Sequence, residues 1–221
     1  MKHTMKISLV AALMFAGCTS ELDGKPAAKV TDVKTDAKKA DTKTDTKADT
    51  KAEAAVAAKT LKVDPATSSI GFVGRKITGD HTGGFKTFTG EASIAGKEPK
   101  SVSFTVETAS VTTDADGLTD HLKGADFFDV ATFPKASFSS TNIAAKTGTA
   151  GVTHEVTGDL DLHGVKKSIT FPASITVDER GAKGTAEFTI NRKDFNIAYA
   201  GKPDDLIKDE VLLKLNLQFA G

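Results

Sequence analysis

The feature that most constrains this chain is an alternation of apolar and polar residues that runs from about Leu61 to the C-terminus. In the stretch SVSFTVETASV, Val102, Phe104 and Val106 alternate with serine, threonine and glutamate. A period of two places successive side chains on opposite faces of a strand, so each such strand has one dry face and one wet face. Antiparallel sheets show this pattern, whereas buried parallel strands are apolar throughout.

Eight runs with this alternation are separated by short clusters of glycine with aspartate or lysine, which are residues of hairpin turns. The runs lie at residues 69–77, 85–95, 101–111, 136–143, 154–162, 167–177, 186–192 and 210–221. Eight antiparallel strands close into a barrel, which removes exposed edges, or stack as a sandwich. The sequence therefore predicts a single all-β domain at residues 60–221.

One segment, DGLTDHLKGADFFD, breaks the alternation. Leu118, His121 and Leu122 recur there at helical spacing, just before Phe127 and Phe128. We predict a short helical insertion that crosses one end of the barrel, with the phenylalanine pair as a plug.

The N-terminal stretch MKHTMKISLVAALMFAGCTS has two lysines, an apolar run and then small residues. This layout is typical of a secretory signal peptide, and the apolar run is too short for a permanent membrane span. The segment FAGC resembles the lipobox of bacterial lipoproteins. We therefore predict a lipoprotein signal peptide at residues 1–17 and lipidation of Cys18, the single cysteine of the chain.

Lipidation of Cys18 predicts an exported protein that is held on a membrane by its N-terminal anchor, since several acyl chains bind durably. The residue directly after Cys18 is Thr19, whereas an aspartate at that position is associated with retention in the inner membrane. In a Gram-negative cell we therefore expect the protein on the outer membrane, facing the periplasm. The alternative is ordinary signal cleavage without an anchor.

Residues 18–59 follow a quasi-repeat of lysine, threonine, aspartate and alanine with almost no large apolar side chains. Such a stretch buries too little surface to offset its ordering entropy, so we predict a disordered tether. Beyond it, residues 60–221 hold eighteen basic and twenty-one acidic side chains. A nucleic-acid partner needs a basic face, which a near-neutral domain does not favour, and we expect no nucleic-acid partner.

The chain has thirteen phenylalanines, one tyrosine and no tryptophan, so the barrel interior is smooth and apolar. Such an interior suits a hydrocarbon ligand better than a polar metabolite, although the same residues also make an ordinary packed core. The alternation gives these candidate lining residues: Phe72, Phe104, Val106, Phe138, Leu160, Leu162 and Phe188.

Two polar residues fall in phase with the inward positions, Arg192 after Ile190 and His154 before Val156. A buried charge needs a partner or a place near water, so we consider both as head-group contacts at the barrel mouth. Asp194 is a candidate partner for Arg192. The alternative is that Arg192 and His154 lie just past the strand ends, where the phase carries no information.

The four histidines of the predicted domain form no metal-binding motif, and the sequence has no nucleophile elbow. The sequence therefore predicts no catalytic residue, no metal site and no cofactor. An enzyme assisted by a metal would need His81, His121, His154 or His163 to converge in space. His163 is out of phase with Leu162, and we place it with Gly164 in a hairpin turn.

Several segments together resemble the YceI-like, polyisoprenoid-binding proteins, and the resemblance covers nearly all of residues 61–219. Its most specific elements are DHLKGADFFDVATFPKASFSS and GDLDLHGVKKSITFP. The resemblance implies a lipocalin-like antiparallel barrel of eight strands whose tunnel holds an isoprenoid or quinone-like lipid, and it implies no catalytic residues.

The sequence thus predicts a non-enzymatic protein that sequesters or transports an isoprenoid or similar amphiphilic lipid at the cell envelope. A ligand-free structural or stress-response module of the envelope is the alternative, and an enzyme assisted by a metal is a further one. The sequence leaves a homodimer open.

Overall fold

The computed structural model describes residues 20–33 and 57–221. The predicted signal peptide, the predicted lipidation site Cys18 and the middle of the predicted tether lie outside these residues. The strands are β1 (Lys29–Asp32), β2 (Lys59–Val63), β3 (Ser69–Lys76), β4 (Asp80–Phe85), β5 (Phe88–Ala95), β6 (Glu98–Glu107), β7 (Val111–Thr113), β8 (Lys135–Ala145), β9 (His154–Leu162), β10 (Val165–Asp178), β11 (Gly181–Asn191), β12 (Gly201–Lys202) and β13 (Asp205–Ala220). Helix α1 spans Asp116–Lys123.

The strands close into an antiparallel barrel of eight wall positions, which is the predicted fold class and excludes the sandwich. The wall runs through β2, β5, β6, β8, β9, β10, β11 and β13 and returns to β2. Three wall positions are each divided between two strands, because β2 continues as β3, β4 as β5 and β6 as β7. Alternate residues face a shared apolar interior, as the period of two requires.

The barrel has two distinct ends. The helix end carries α1, the turn between β9 and β10, and the short hairpin of β12 and β13. The tail end carries the C-terminus, β2 and the loop at residues 146–153. Leu122 of α1 is buried at the helix end with Val111 and Ile197. No helix in the described part of the chain is both long enough and apolar enough to cross a membrane.

His163 and Gly164 form the tight turn between β9 and β10, as predicted. Both have positive φ angles, 52° and 71°, which is the geometry of the hairpin turn whose twist matches its strands. The His163 ring lies 4.5 Å from the ring of Phe133. This histidine is half-buried beside Phe133 at the helix end and borders neither interior cavity described below.

The N-terminal segment differs from the prediction of a disordered tether, because residues 20–33 contact the barrel and β1 joins its wall. β10 and β11 pair with each other only at residues 174–178 and 181–185, near the tail end. Toward the helix end they separate, and β1 lies between them: Val30 pairs with Ile169 of β10, and Ala27 bridges to Thr189 of β11. The helix end thus has nine wall positions and the tail end eight.

Residues 20–25, which we call the strap, cross the outer face of the barrel before β1. Leu22 is buried against Val73 and Leu212, two apolar residues on the outer face of the wall. Ion pairs flank this contact, namely Glu21 with Lys214, Asp23 with Arg75 and Lys25 with Glu187. These contacts offset the ordering entropy that the composition alone would leave unopposed.

Candidate functional site

An apolar cavity of about 170 Å³ occupies the helix-end half of the barrel interior. We call it the helix-end cavity. All seven residues predicted to line the interior border it: Phe72 on β3, Phe104 and Val106 on β6, Phe138 on β8, Leu160 and Leu162 on β9, and Phe188 on β11. Their contact with a lipid stays a prediction.

The cap over this cavity adds residues that the strand alternation does not identify. Phe128 packs against the rings of Phe72 and Phe85, at centroid distances of 6.3 and 5.6 Å, and those two rings lie 5.9 Å apart. Leu122 and Phe127 also border the cavity. The adjacent pair Phe127 and Phe128 predicted this plug from the sequence. Phe85 of β4, which the alternation did not single out, packs against Phe128.

A second apolar cavity of about 70 Å³ lies in the tail-end half of the barrel. Four residues border both cavities and form a layer across the interior: Phe104, Phe138, Phe171 and Leu215. The ring of Phe104 stacks on Phe138 at 5.3 Å, and Phe138 lies 5.6 Å from Phe171. A Cβ at Gly158 would lie 2.4 Å from Cζ of Phe138, so this glycine makes room for the ring. In this conformation the layer divides the tunnel in two.

Arg192 is buried at the helix end, with 4% of its surface exposed, and it borders the helix-end cavity. Its Nη1 donates to the carbonyl of Ile197 at 2.7 Å and its Nε to that of Lys208 at 3.0 Å. Its Nη2 donates to the carbonyl of Ile207 and to Asp209, both at 3.3 Å. The ion-pair partner is therefore Asp209 rather than the expected Asp194.

The contacts of Arg192 use four of the five N–H donors of a guanidinium. Burial lowers the pKa of Arg192 and the carboxylate of Asp209 raises it, but an arginine keeps its proton under such conditions. The side chain fastens the end of β11 to the start of β13. One donor remains for a ligand, and the head-group role of Arg192 stays a prediction.

His154 lies at the opposite end of the barrel from Arg192. It is the first residue of β9 and pairs with Ala145 and Ala173 near the tail end. Its Nδ1 lies 2.8 Å from Oγ1 of Thr153, and it does not border the helix-end cavity. The structure therefore does not bring the two head-group candidates together.

His81 and His121 are held by separate carboxylate partners near the surface. Nδ1 of His81 lies 2.9 Å from Asp114, and the pKa of that carboxyl is lowered, first because Thr82 N–H donates to it and then because of His81. Nε2 of His121 lies 3.1 Å from Asp126. Within residues 20–33 and 57–221, no three His, Cys, Asp or Glu side chains gather as metal ligands would.

The lining of the helix-end cavity is almost entirely apolar. Ser137 and Arg192 are the polar side chains that border the helix-end cavity, and the rest of its lining is aliphatic, aromatic or glycine. Binding there would depend on apolar area removed from water.

Comparison with known proteins gives related sequences. A family model described as the YceI-like domain matches residues 61–219. A UPF0312 protein of Pseudomonas putida is 35% identical over 127 residues, which cover 54% of this chain and 65% of that protein. Protein YceI of Escherichia coli O6:H1 is 37% identical over 123 residues, which cover 52% of this chain and 62% of that protein. The matches thus span just under two thirds of the length of these curated relatives.

Two solved structures share the barrel. BcnA of Burkholderia cenocepacia has a TM-score of 0.61 at 26% identity and covers 71% of this chain and 98% of its own. A polyisoprenoid-binding domain from Saccharophagus degradans, implicated in plant cell wall breakdown, has a TM-score of 0.57 and covers 73% and 98%. Because the two sequences are only 20% identical, this likeness shows only that they share a fold. Since the family model spans most of the chain and the predicted barrel is present, the chain belongs to the YceI-like family.

Proposed function

We propose that this protein binds an isoprenoid or similar amphiphilic lipid inside its barrel and sequesters or transports it at the cell envelope. The observation that carries the proposal is the closed apolar interior at the helix end, bordered by all seven predicted lining residues. The polyisoprenoid-binding domain with the same fold gives independent support. Each buried methylene of such a chain contributes about 0.8 kcal/mol.

The competing function is a ligand-free envelope module whose interior is filled by its own phenylalanines, and the cavity size favours it. Ligand pockets usually measure about 300 to 1,000 Å³, whereas the helix-end cavity measures about 170 Å³. A cavity of about 150 Å³ takes a molecule the size of benzene. A long isoprenoid would therefore need the layer of Phe104, Phe138 and Phe171 to move.

Mass spectrometry of organic extracts distinguishes these two functions. From protein purified out of its native membrane, we expect a reproducible polyprenyl species, and stripped protein should take up an added isoprenoid alcohol. Gly74→Leu is the matched control and should reduce uptake, because its side chain would fill part of the helix-end cavity. The backbone tolerates this change, since a Cβ at Gly74 meets no atom within 4 Å. A barrel that carries no lipid above background and takes up none would establish the filled module instead.

We propose further that the chain is an exported lipoprotein, anchored through Cys18 on the outer membrane and facing the periplasm. Its signal-like N-terminus and the FAGC segment support this proposal. Cys18→Ser should release the protein from the membrane fraction, because the acyl chains supply the durable part of membrane binding. Intact-mass measurement checks it: an acylated Cys18 supports the anchor, and a free Cys18 thiol on membrane-bound protein contradicts it.

A further inference from the structure

The rim of the barrel at the helix end carries an exposed apolar pair and the start of the strap. The two large apolar side chains with the most exposed surface in the described residues are Ile77, at 60%, and Leu206, at 44%. They are neighbours, because Ile77 N–H donates to the carbonyl of Leu206 at 3.2 Å. The next residue after Leu206, Ile207, borders the helix-end cavity.

The start of the strap lies at this same rim. Oγ of Ser20 donates to Asp80 at 2.6 Å, and Asp80 is the first residue of β4, directly after the turn that holds Ile77. Arg75 bridges Asp23 of the strap and Asp80. The described chain therefore begins beside the exposed apolar pair.

The position of Ser20 limits how far the barrel can be from the anchor. Only Thr19 separates Ser20 from Cys18, and the two residue steps from Cys18 to Ser20 span at most about 7 Å when extended. The remaining lysine-rich and threonine-rich stretch follows β1, so it connects the strap to β2 and does not separate Cys18 from the barrel. The predicted tether therefore does not lengthen the link to the membrane.

We propose that the helix end docks on the lipid bilayer, with Ile77 and Leu206 inserted among the lipids and the cavity facing the membrane. This inference rests on the anchor at Cys18. The surface suits a lipid phase because it offers two adjacent apolar side chains, and each contributes free energy when it leaves water. In this orientation an isoprenoid passes between bilayer and barrel at the helix end.

The orientation can be measured with one added cysteine, because acylation of Cys18 leaves no other thiol in the chain. The lipidated protein is placed in vesicles of phosphatidylethanolamine and phosphatidylglycerol that contain spin-labelled lipid. A fluorescent probe is attached at Asp204→Cys, in the exposed turn beside Leu206 on the helix end, or at Ala150→Cys in the exposed tail-end loop. We expect the spin label to quench the helix-end probe and to leave the tail-end probe unchanged. Equal quenching at both positions, or stronger quenching at the tail end, would overturn the proposal.

A second variant tests the apolar pair itself. Ile77→Asp removes the apolar area of one inserted side chain, and the ratio of docked to undocked protein should fall by about tenfold. Thr149→Asp, in the tail-end loop, is the matched control and should leave that ratio unchanged. If Ile77→Asp has no more effect than Thr149→Asp, the pair does not dock. If the anchor proposal is wrong, intact-mass measurement shows a free Cys18 thiol. If the lipid-binding proposal is wrong, the stripped protein takes up no added isoprenoid.

Discussion

Replacing Leu22 with alanine is expected to lower the free energy of unfolding by roughly 2–3 kcal/mol, the lower part of the range for a buried leucine. Leu22 is 8% exposed and packs on Val73 and Leu212, which are 1% and 0% exposed. All three are on the outside of the barrel, where the alternation would place polar residues. The strap is what keeps Val73 and Leu212 dry.

Chemical denaturation followed by circular dichroism measures this change. Leu206→Ala is the matched control, because Leu206 is 44% exposed and such a substitution usually changes stability by less than about 0.5 kcal/mol. A double-mutant cycle with Leu212→Ala should give a coupling energy of about 1 kcal/mol. If Leu22→Ala matches the control, the strap does not stabilise the barrel, and the short link between Cys18 and the helix end loses its basis.

The strap shows where composition misleads. A charged repeat with almost no large apolar residues predicts disorder, yet two of them, Leu22 and Val30, hold the segment because the barrel offers each an apolar contact. Those contacts are made by Leu212 and Ile169, far away in the sequence. Local pattern carries no information about such a partner, so the strap could not have been predicted from its own residues.

The strand faces, in contrast, follow from local geometry alone. Side chains alternate across a strand whatever lies around it, so the inward positions of Phe104, Phe138 and Phe188 could be predicted from the period of two. The turn at His163 and Gly164 was predictable for the same reason, since the phase changes there.

Alternation does not give the height of a residue in the barrel. Arg192 and His154 share the inward phase, yet they lie at opposite ends because one ends a strand and the other begins one. For the same reason the layer of Phe104, Phe138 and Phe171 is visible only once the strand registers are known. Asp209 rather than Asp194 faces Arg192 because a 3-10 helix begins at Arg192 and turns the chain.

The buried guanidinium of Arg192 gives the second large effect. Arg192→Met should cost about 2–4 kcal/mol, because the carbonyls of Ile197, Ile207 and Lys208 lose their donors. Asp209 is 41% exposed and returns to water at little cost. Arg192→Lys should recover part of the loss, since an ammonium group cannot reproduce the fork that reaches several carbonyls.

Arg180→Met is the matched control for the same substitution, because Arg180 is 93% exposed and should change stability by less than about 0.5 kcal/mol. Hydrogen exchange should show faster opening at Ile197 and Ile207 in Arg192→Met. Uptake of a polyprenol and of its phosphate then separates the two roles of Arg192. If Arg192 only fastens β11 to β13, Arg192→Met changes the uptake of the polyprenol and of its phosphate by the same factor. We expect this result, because four of the five N–H donors of Arg192 are already engaged within the protein. A selective loss of the phosphate would show instead that the remaining donor binds the head group.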